Sequence, residues 1–200
     1  GKFMQALLPF ILDAIRVTLI FIHVIAMAVA VGLMCWLDIA LVTSRRVNAM
    51  QFQLSSTRIA RALVVLWLSG LAVMGLDSQL NLDVLAMMPK IQAKLLVVTL
   101  LSLNGWALHR FAFPALMDNR TRFPTTTTTT ILTAMGAIST VSWIYASFLG
   151  IARPLASTLG FSGFIGLYTA LLIMGVTTAL RYVRPRVERL LREPADFSAG

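Results

Sequence analysis

The chain has 200 residues, 58% of them hydrophobic and only 12% charged, with a mean hydropathy of +0.83, whereas soluble domains carry roughly 25% charged residues. That excludes an ordinary water-soluble domain and points to a single-domain integral membrane protein. The formal charge of +9 does not imply nucleic acid, because most basic residues stand in short stretches between apolar runs, and no basic stripe alternates with aromatics in an exposed domain.

A transmembrane helix needs about 20 mostly apolar residues, and five stretches meet or approach that length. Ahead of the first, "MQALLPFILDAIR" repeats its apolar residues at helical spacing, as a short interfacial helix or as an extension of span 1. Span 1 runs from about Val17 to Val42. It lacks the basic region, short apolar core and cleavage site of a removed leader, and is expected to be retained. Cys35, the single cysteine, falls inside it and has no intramolecular disulfide partner.

Span 2 covers Ile59 to Leu76, and "DSQLNLDVLAMMPK" then forms a loop with an interfacial turn. Span 3 covers Ile91 to Ala112. In "RFPTTTTTT", Pro124 opens a helix and the Thr hydroxyls bond back to carbonyls, so the run is the entry to span 4, Thr128 to Gly150. Within span 4, "AISTVSWIYAS" puts Ser139, Ser142, Tyr145 and Ser147 at mid-to-outer depth, enough to line a small polar cavity. Span 5, Phe161 to Tyr182, has Ser162, Gly166 and Ala170 at four-residue spacing, a helix-contact pattern. The expected fold is therefore all-α: a single bundle of five transmembrane helices over residues 1–184, followed by a basic helical stub and tail over 185–200.

Orientation follows from the basic residues. Twelve of the 17 Lys and Arg lie at one set of span ends: Arg45, Arg46, Arg58, Arg61, Arg110, Arg120, Arg122 and the five arginines from 181 to 192. Lys2, Arg16, Lys90, Lys94 and Arg153 lie at the other. The positive-inside rule puts the N-terminus outside and the C-terminus in the cytoplasm, with spans 1, 3 and 5 running inward.

Ionisable residues inside a span are costly, so each is a candidate for function. Span 1 carries His23 and Asp38, and span 3 carries Lys94 and His109, each pair fifteen residues apart. That spacing puts both members of a pair on one helix face, about 22 Å apart along the axis. If spans 1 and 3 pack side by side, His23 falls level with Lys94 in the outer leaflet and Asp38 level with His109 in the inner one. A carboxylate beside an imidazole fixes its tautomer or pairs with its charged form. An imidazole beside a lysine needs something else: a neutral ring, an anion, a propionate or a metal. Met27 and Met34 continue the His23 face, and imidazole and thioether are ligands for haem iron or copper.

Plainer roles stand beside each of these. His23 serves equally as a helix–helix hydrogen-bonding group or a proton relay, and Lys94 as a snorkelling headgroup contact. Asp38 has Arg45 and Arg46 as local partners. His109 sits near water, and the methionines fit simple packing. Asn104 suits an inter-helix hydrogen bond and Gly105 a close approach. A haem bridging His23 and His109 is disfavoured, since their depths differ by well over 10 Å on this geometry. No nucleotide loop, nucleophile elbow, zinc-protease pair or cysteine cluster is present, so nothing in the chain indicates a soluble-type enzyme.

"FIHVIAMAVAVGLMCWLDIALV", "RALVVLWLSGLAVMGLD" and "IQAKLLVVTLLSLNGWALHRF" together resemble a family of uncharacterised small bacterial membrane proteins. The shared pattern is an early-span His and Asp, a second span ending in a small-residue turn, and a later span opening on Lys and closing on Asn and His. More distantly, His23 and Lys94 alone are similar to positions in the copper-resistance D proteins and the haem-binding membrane protoporphyrinogen oxidases. The resemblance covers about residues 15 to 112. The close family implies no activity; the distant ones imply haem b or copper.

The expectation is a multi-pass protein of the bacterial inner membrane that binds b-type haem and acts in electron transfer or haem handling. His23, Lys94, His109, Met34 and Asp38 are its candidate cofactor residues, and His23, His109 and Met27 its candidate metal ligands. Two alternatives stand beside it. One is an accessory subunit of a larger membrane complex, or a homo-oligomer; the other is a carrier of copper or another small solute using His23, Met27, Met34 and Cys35. The lipid bilayer is the expected partner throughout, and nucleic acid is not.

Overall fold

The computed structural model describes residues 2–43, 49–79, 81, 83, 87–112 and 126–192, which contain helices and no strand. In chain order the helices are α1 (Lys2–Thr43), α2 (Ala49–Ser78), α3 (Pro89–Ala107), α4 (Thr126–Ile151), α5 (Ala156–Thr178) and α6 (Arg184–Arg192). Short π-helical turns, Leu108–Ala112 and Ala179–Val183, continue α3 and α5. Five helices, α1 to α5 with their continuations, are long and apolar enough to cross a membrane.

The helices overrun the apolar spans read from sequence, because hydropathy marks the part suited to lipid and not where the hydrogen-bonded ladder ends. α1 begins fifteen residues before Val17, so "MQALLPFILDAIR" is an extension of span 1 and not a separate helix; Pro9 lies inside it without ending it. α2 starts ten residues before Ile59, and there Ser56 and Thr57 donate back to the Gln53 carbonyl at 2.8 and 2.9 Å. Pro89 stands in the first turn of α3, where its missing N–H costs nothing. Pro124, residues 44–48 with Arg45 and Arg46, residues 84–86 of the second loop, Arg120, Arg122 and the tail from 193 lie outside the described residues.

α1 and α2 form an antiparallel hairpin. Arg16 meets Asp77 at 2.6 Å and His23 meets Ser69 at 2.9 Å, so moving down one helix moves up the other at a constant register. Small residues Ala26, Ala30 and Ala62 are buried on this contact, with Leu66 and Met34 beside them. The second group is α3, α4 and α5. Lys90 donates to the Gly150 carbonyl at 3.2 Å and Asn104 to the Met135 carbonyl at 2.9 Å, which sets α3 antiparallel to α4. Ala93, Val97, Tyr145, Ala146, Leu149, Phe164 and Tyr168 form its core. Leu101 and Trp143 belong to the α1–α2 cluster, and Met27 packs on both clusters, so the two groups are keyed together.

Two expectations about packing change. Ser162, Gly166 and Ala170 are exposed, and a Cβ on Gly166 would meet nothing within 4 Å. α5 instead turns Phe164, Tyr168 and Gly175 inward; a Cβ on Gly175 would come within 2.5 Å of Val141 Cγ2. The small-residue spacing was real, but the larger apolar area of the opposite face decides which side is buried. Ser142 and Tyr145 are buried and use their hydroxyls for helix–helix contacts. Ser142 shares a 2.8 Å hydrogen bond with Tyr168, and Tyr145 donates to the Phe164 carbonyl at 2.6 Å, so these hydroxyls bind α4 to α5. Gly105 likewise has no close neighbour, whereas Asn104 makes the inter-helix bond expected of it.

Candidate functional site

His23 points from α1 into the angle between α2 and α3. On one side its Nδ1 lies 2.9 Å from Ser69 Oγ, and on the other its Nε2 lies 3.4 Å from Lys94 Nζ. The Ser69 hydroxyl has one proton, and it donates that proton to the Val65 carbonyl at 2.7 Å. Its oxygen therefore accepts from His23, which assigns the ring proton to Nδ1. Nε2 is left with a lone pair, and Lys94, which has only N–H groups to offer, donates to it. The pairing of a histidine with a lysine is thus satisfied by a neutral imidazole, with no anion needed between them.

Each element contributes for a local reason. Ser69 is buried, and its back-bond to Val65 keeps the hydroxyl inside the helix groove, leaving the oxygen turned toward α1. Gly70 follows it, and a Cβ there would sit 3.3 Å from His23 Cε1 and 3.7 Å from Nδ1. The absent side chain is what lets the imidazole lie against α2. Lys94 reaches the ring from the first turns of α3 on a four-carbon stem. About 10 Å nearer the start of α1, by helix rise, the Arg16–Asp77 ion pair joins α1 to the end of α2.

The inner layer is built differently from the sequence expectation. Asp38 is half-buried and its Oδ2 accepts a 2.8 Å hydrogen bond from Thr140 of α4, whose hydroxyl also lies 3.1 Å from the Gly136 carbonyl as the alternative acceptor. His109 lies on the π-helical turn after α3, with its side chain exposed. Met34 is buried among Ala30, Leu66, Leu101 and Trp143, and Met27 packs between the two clusters. Cys35, next to Met34, is exposed. Of the candidate residues, the structure brings together His23 and Lys94; Met27 and Met34 are packing side chains and do not share an open face with Cys35. Among the described residues no three His, Cys, Asp or Glu side chains group where they could hold a metal ion. Ser69 and Thr140 are the site residues sequence reasoning missed.

The fit to a haem rests on one imidazole. A histidine that ligates through Nε2 needs its other ring nitrogen held by a hydrogen bond, and Ser69 supplies that bond. Lys94 is the cation beside it. His109 is about 22 Å further along the helix from Lys94 by helix rise, so the residues that could hold the group here are one imidazole and a lysine. No family model, curated protein or solved structure matches the chain.

Proposed function

We propose that this chain is a multi-pass protein of the bacterial inner membrane, with its N-terminus outside, that binds b-type haem at His23 and acts in electron transfer or haem handling. The observation that carries the reading is the His23 ring itself: its Nδ1–H is held by Ser69, and its Nε2 lone pair faces a lysine inside the bundle. A haem bound there supplies one-electron chemistry. The protein's share is to present Nε2, to hold the ring in a fixed tautomer through Ser69, and to offer Lys94 as the counter-ion for a propionate, its flexible stem moving aside from Nε2. The orientation rests on the distribution of Lys and Arg. Haemin titration of the purified protein, followed by a Soret band, tests the reading. Saturable binding that is lost in His23→Ala supports it; no Soret band after haem-supplemented expression or haemin addition removes it.

A second reading draws on α1. At the hairpin register set by Arg16–Asp77, α2 ends level with about residue 15, so the first turns of α1 extend past it. There Leu7, Leu8, Phe10, Ile11 and Leu12 are all exposed. An apolar helix end left exposed among the described residues suits an accessory subunit of a larger complex or a homo-oligomer. Light scattering of the purified protein with its detergent contribution subtracted separates these from a monomer, and a monomeric mass with no co-purifying subunit would count against both.

A further inference from the structure

α5 does not stop at Thr178. It continues through the π-helical turn Ala179–Val183 into α6, with the Arg184 N–H bonded back to the Ala179 carbonyl. The turn has a local cause: Pro185 has no N–H to give the Arg181 carbonyl, and the wider turn absorbs that loss without breaking the helix. Val187 is buried, and Glu188 Oε1 accepts from Thr126 Oγ1 at 3.4 Å, which fixes the opposite side of α6 against α4. The exposed side then carries Arg181 with its guanidinium 6.0 Å from the ring centre of Tyr182. Between 156 and 192 there are five arginines after 180 and one acid, Glu188.

The same device recurs at the end of α3. The π-helical turn Leu108–Ala112 holds Arg110 with its guanidinium 5.8 Å from the ring centre of Phe111, both exposed. α3 and α5 both run antiparallel to α4, so the two turns lie at the same end of the bundle. An arginine stacked on a neighbouring exposed aromatic places a cation and an amphipathic ring at one depth. That depth is where a headgroup phosphate meets the start of the acyl chain.

We propose that the α5–α6 junction, through Arg181, Tyr182 and Arg184, is a binding site for the phosphodiester headgroup of an anionic phospholipid, with Arg110 and Phe111 forming its counterpart on α3. The guanidiniums hold the phosphate, the rings lie along the glycerol and upper chain, and the fixed back of α6 keeps the cations at headgroup depth. The site is separate from His23 and does not depend on what that residue binds.

Native mass spectrometry of the full chain in neutral detergent, titrated with phosphatidylglycerol or phosphatidylcholine, tests this. Wild type is expected to retain phosphatidylglycerol in preference. The pair Arg181→Gln and Arg184→Gln lowers that affinity about thirty-fold, each surface arginine being worth about five-fold, while phosphatidylcholine is unaffected. The charge-keeping pair Arg181→Lys and Arg184→Lys stays within a few-fold of wild type if the chain is intact. No lipid preference in wild type, or unchanged phosphatidylglycerol affinity in the Gln pair, would overturn the proposal. Displacement of the lipid by inorganic phosphate would also overturn it, and would assign the site to a soluble phosphate compound instead.

Discussion

Ser69→Ala is the most informative change to the His23 site, because it removes the acceptor on Nδ1 and leaves the backbone ladder of α2 intact. Ser69 is 4% exposed and its oxygen stands 2.9 Å from Nδ1. The helix loses no ladder bond, since the hydroxyl's own donation to the Val65 carbonyl is additional to the backbone one. What remains is an imidazole N–H that keeps the Leu66 carbonyl as a partner but has lost Ser69, and the net loss of one such hydrogen bond costs about 0.5–1.5 kcal/mol. If Nε2 binds haem iron, loss of the bond that orients the ring also weakens haem by about 10- to 100-fold. Reversible unfolding of the purified protein in mixed micelles reads the first quantity and haemin titration the second. Ser69→Thr keeps the hydroxyl and is expected to recover most of both. Stability within about 0.5 kcal/mol of wild type, together with unchanged haemin affinity in Ser69→Ala, would refute the tautomer assigned to His23 and the role given to Ser69.

Three further changes probe the surrounding structure. In a double-mutant cycle of His23→Leu and Lys94→Met, a coupling of about 0.5–3 kcal/mol is expected for groups in contact; strictly additive effects would mean the pair does not interact. Gly175→Ala drives a methyl into Val141 and is expected to destabilise the protein by about 1–3 kcal/mol, while Gly166→Ala, which meets open space, changes little; equal effects would contradict the facing assigned to α5. Gly160 has φ +59° and ψ −172°, a conformation almost confined to glycine, so Gly160→Ala is expected to cost about 1–3 kcal/mol of stability by unfolding titration.

Much of the site was legible in the sequence. The matched fifteen-residue gaps on spans 1 and 3 placed His23 level with Lys94 before any packing was known. Ser69 was not singled out: it is one of many serines in the chain, and only the observed α1–α2 pairing sets it opposite His23, as it sets Asp77 opposite Arg16. Nor was Thr140, because α1 and α4 are not consecutive and no short turn fixes their register. The surroundings of the methionines were not legible for a related reason. Met27 and Met34 do share a helical face with His23, but that face is closed by α2, α3 and α4, and a one-helix projection does not say what lies opposite. On α5, the small-residue spacing drew attention away from Phe164 and Tyr168, whose larger apolar surfaces decide the buried side.

The absorption spectrum of the purified protein after haem-supplemented expression, with iron determined on the same sample, bears most directly on the role of His23. A Soret band with about one iron per chain, absent from His23→Ala and weakened in Ser69→Ala, is the expected result. A wild-type protein with no Soret band, no iron and no response to added haemin would contradict it, leaving His23, Ser69 and Lys94 as an inter-helix contact.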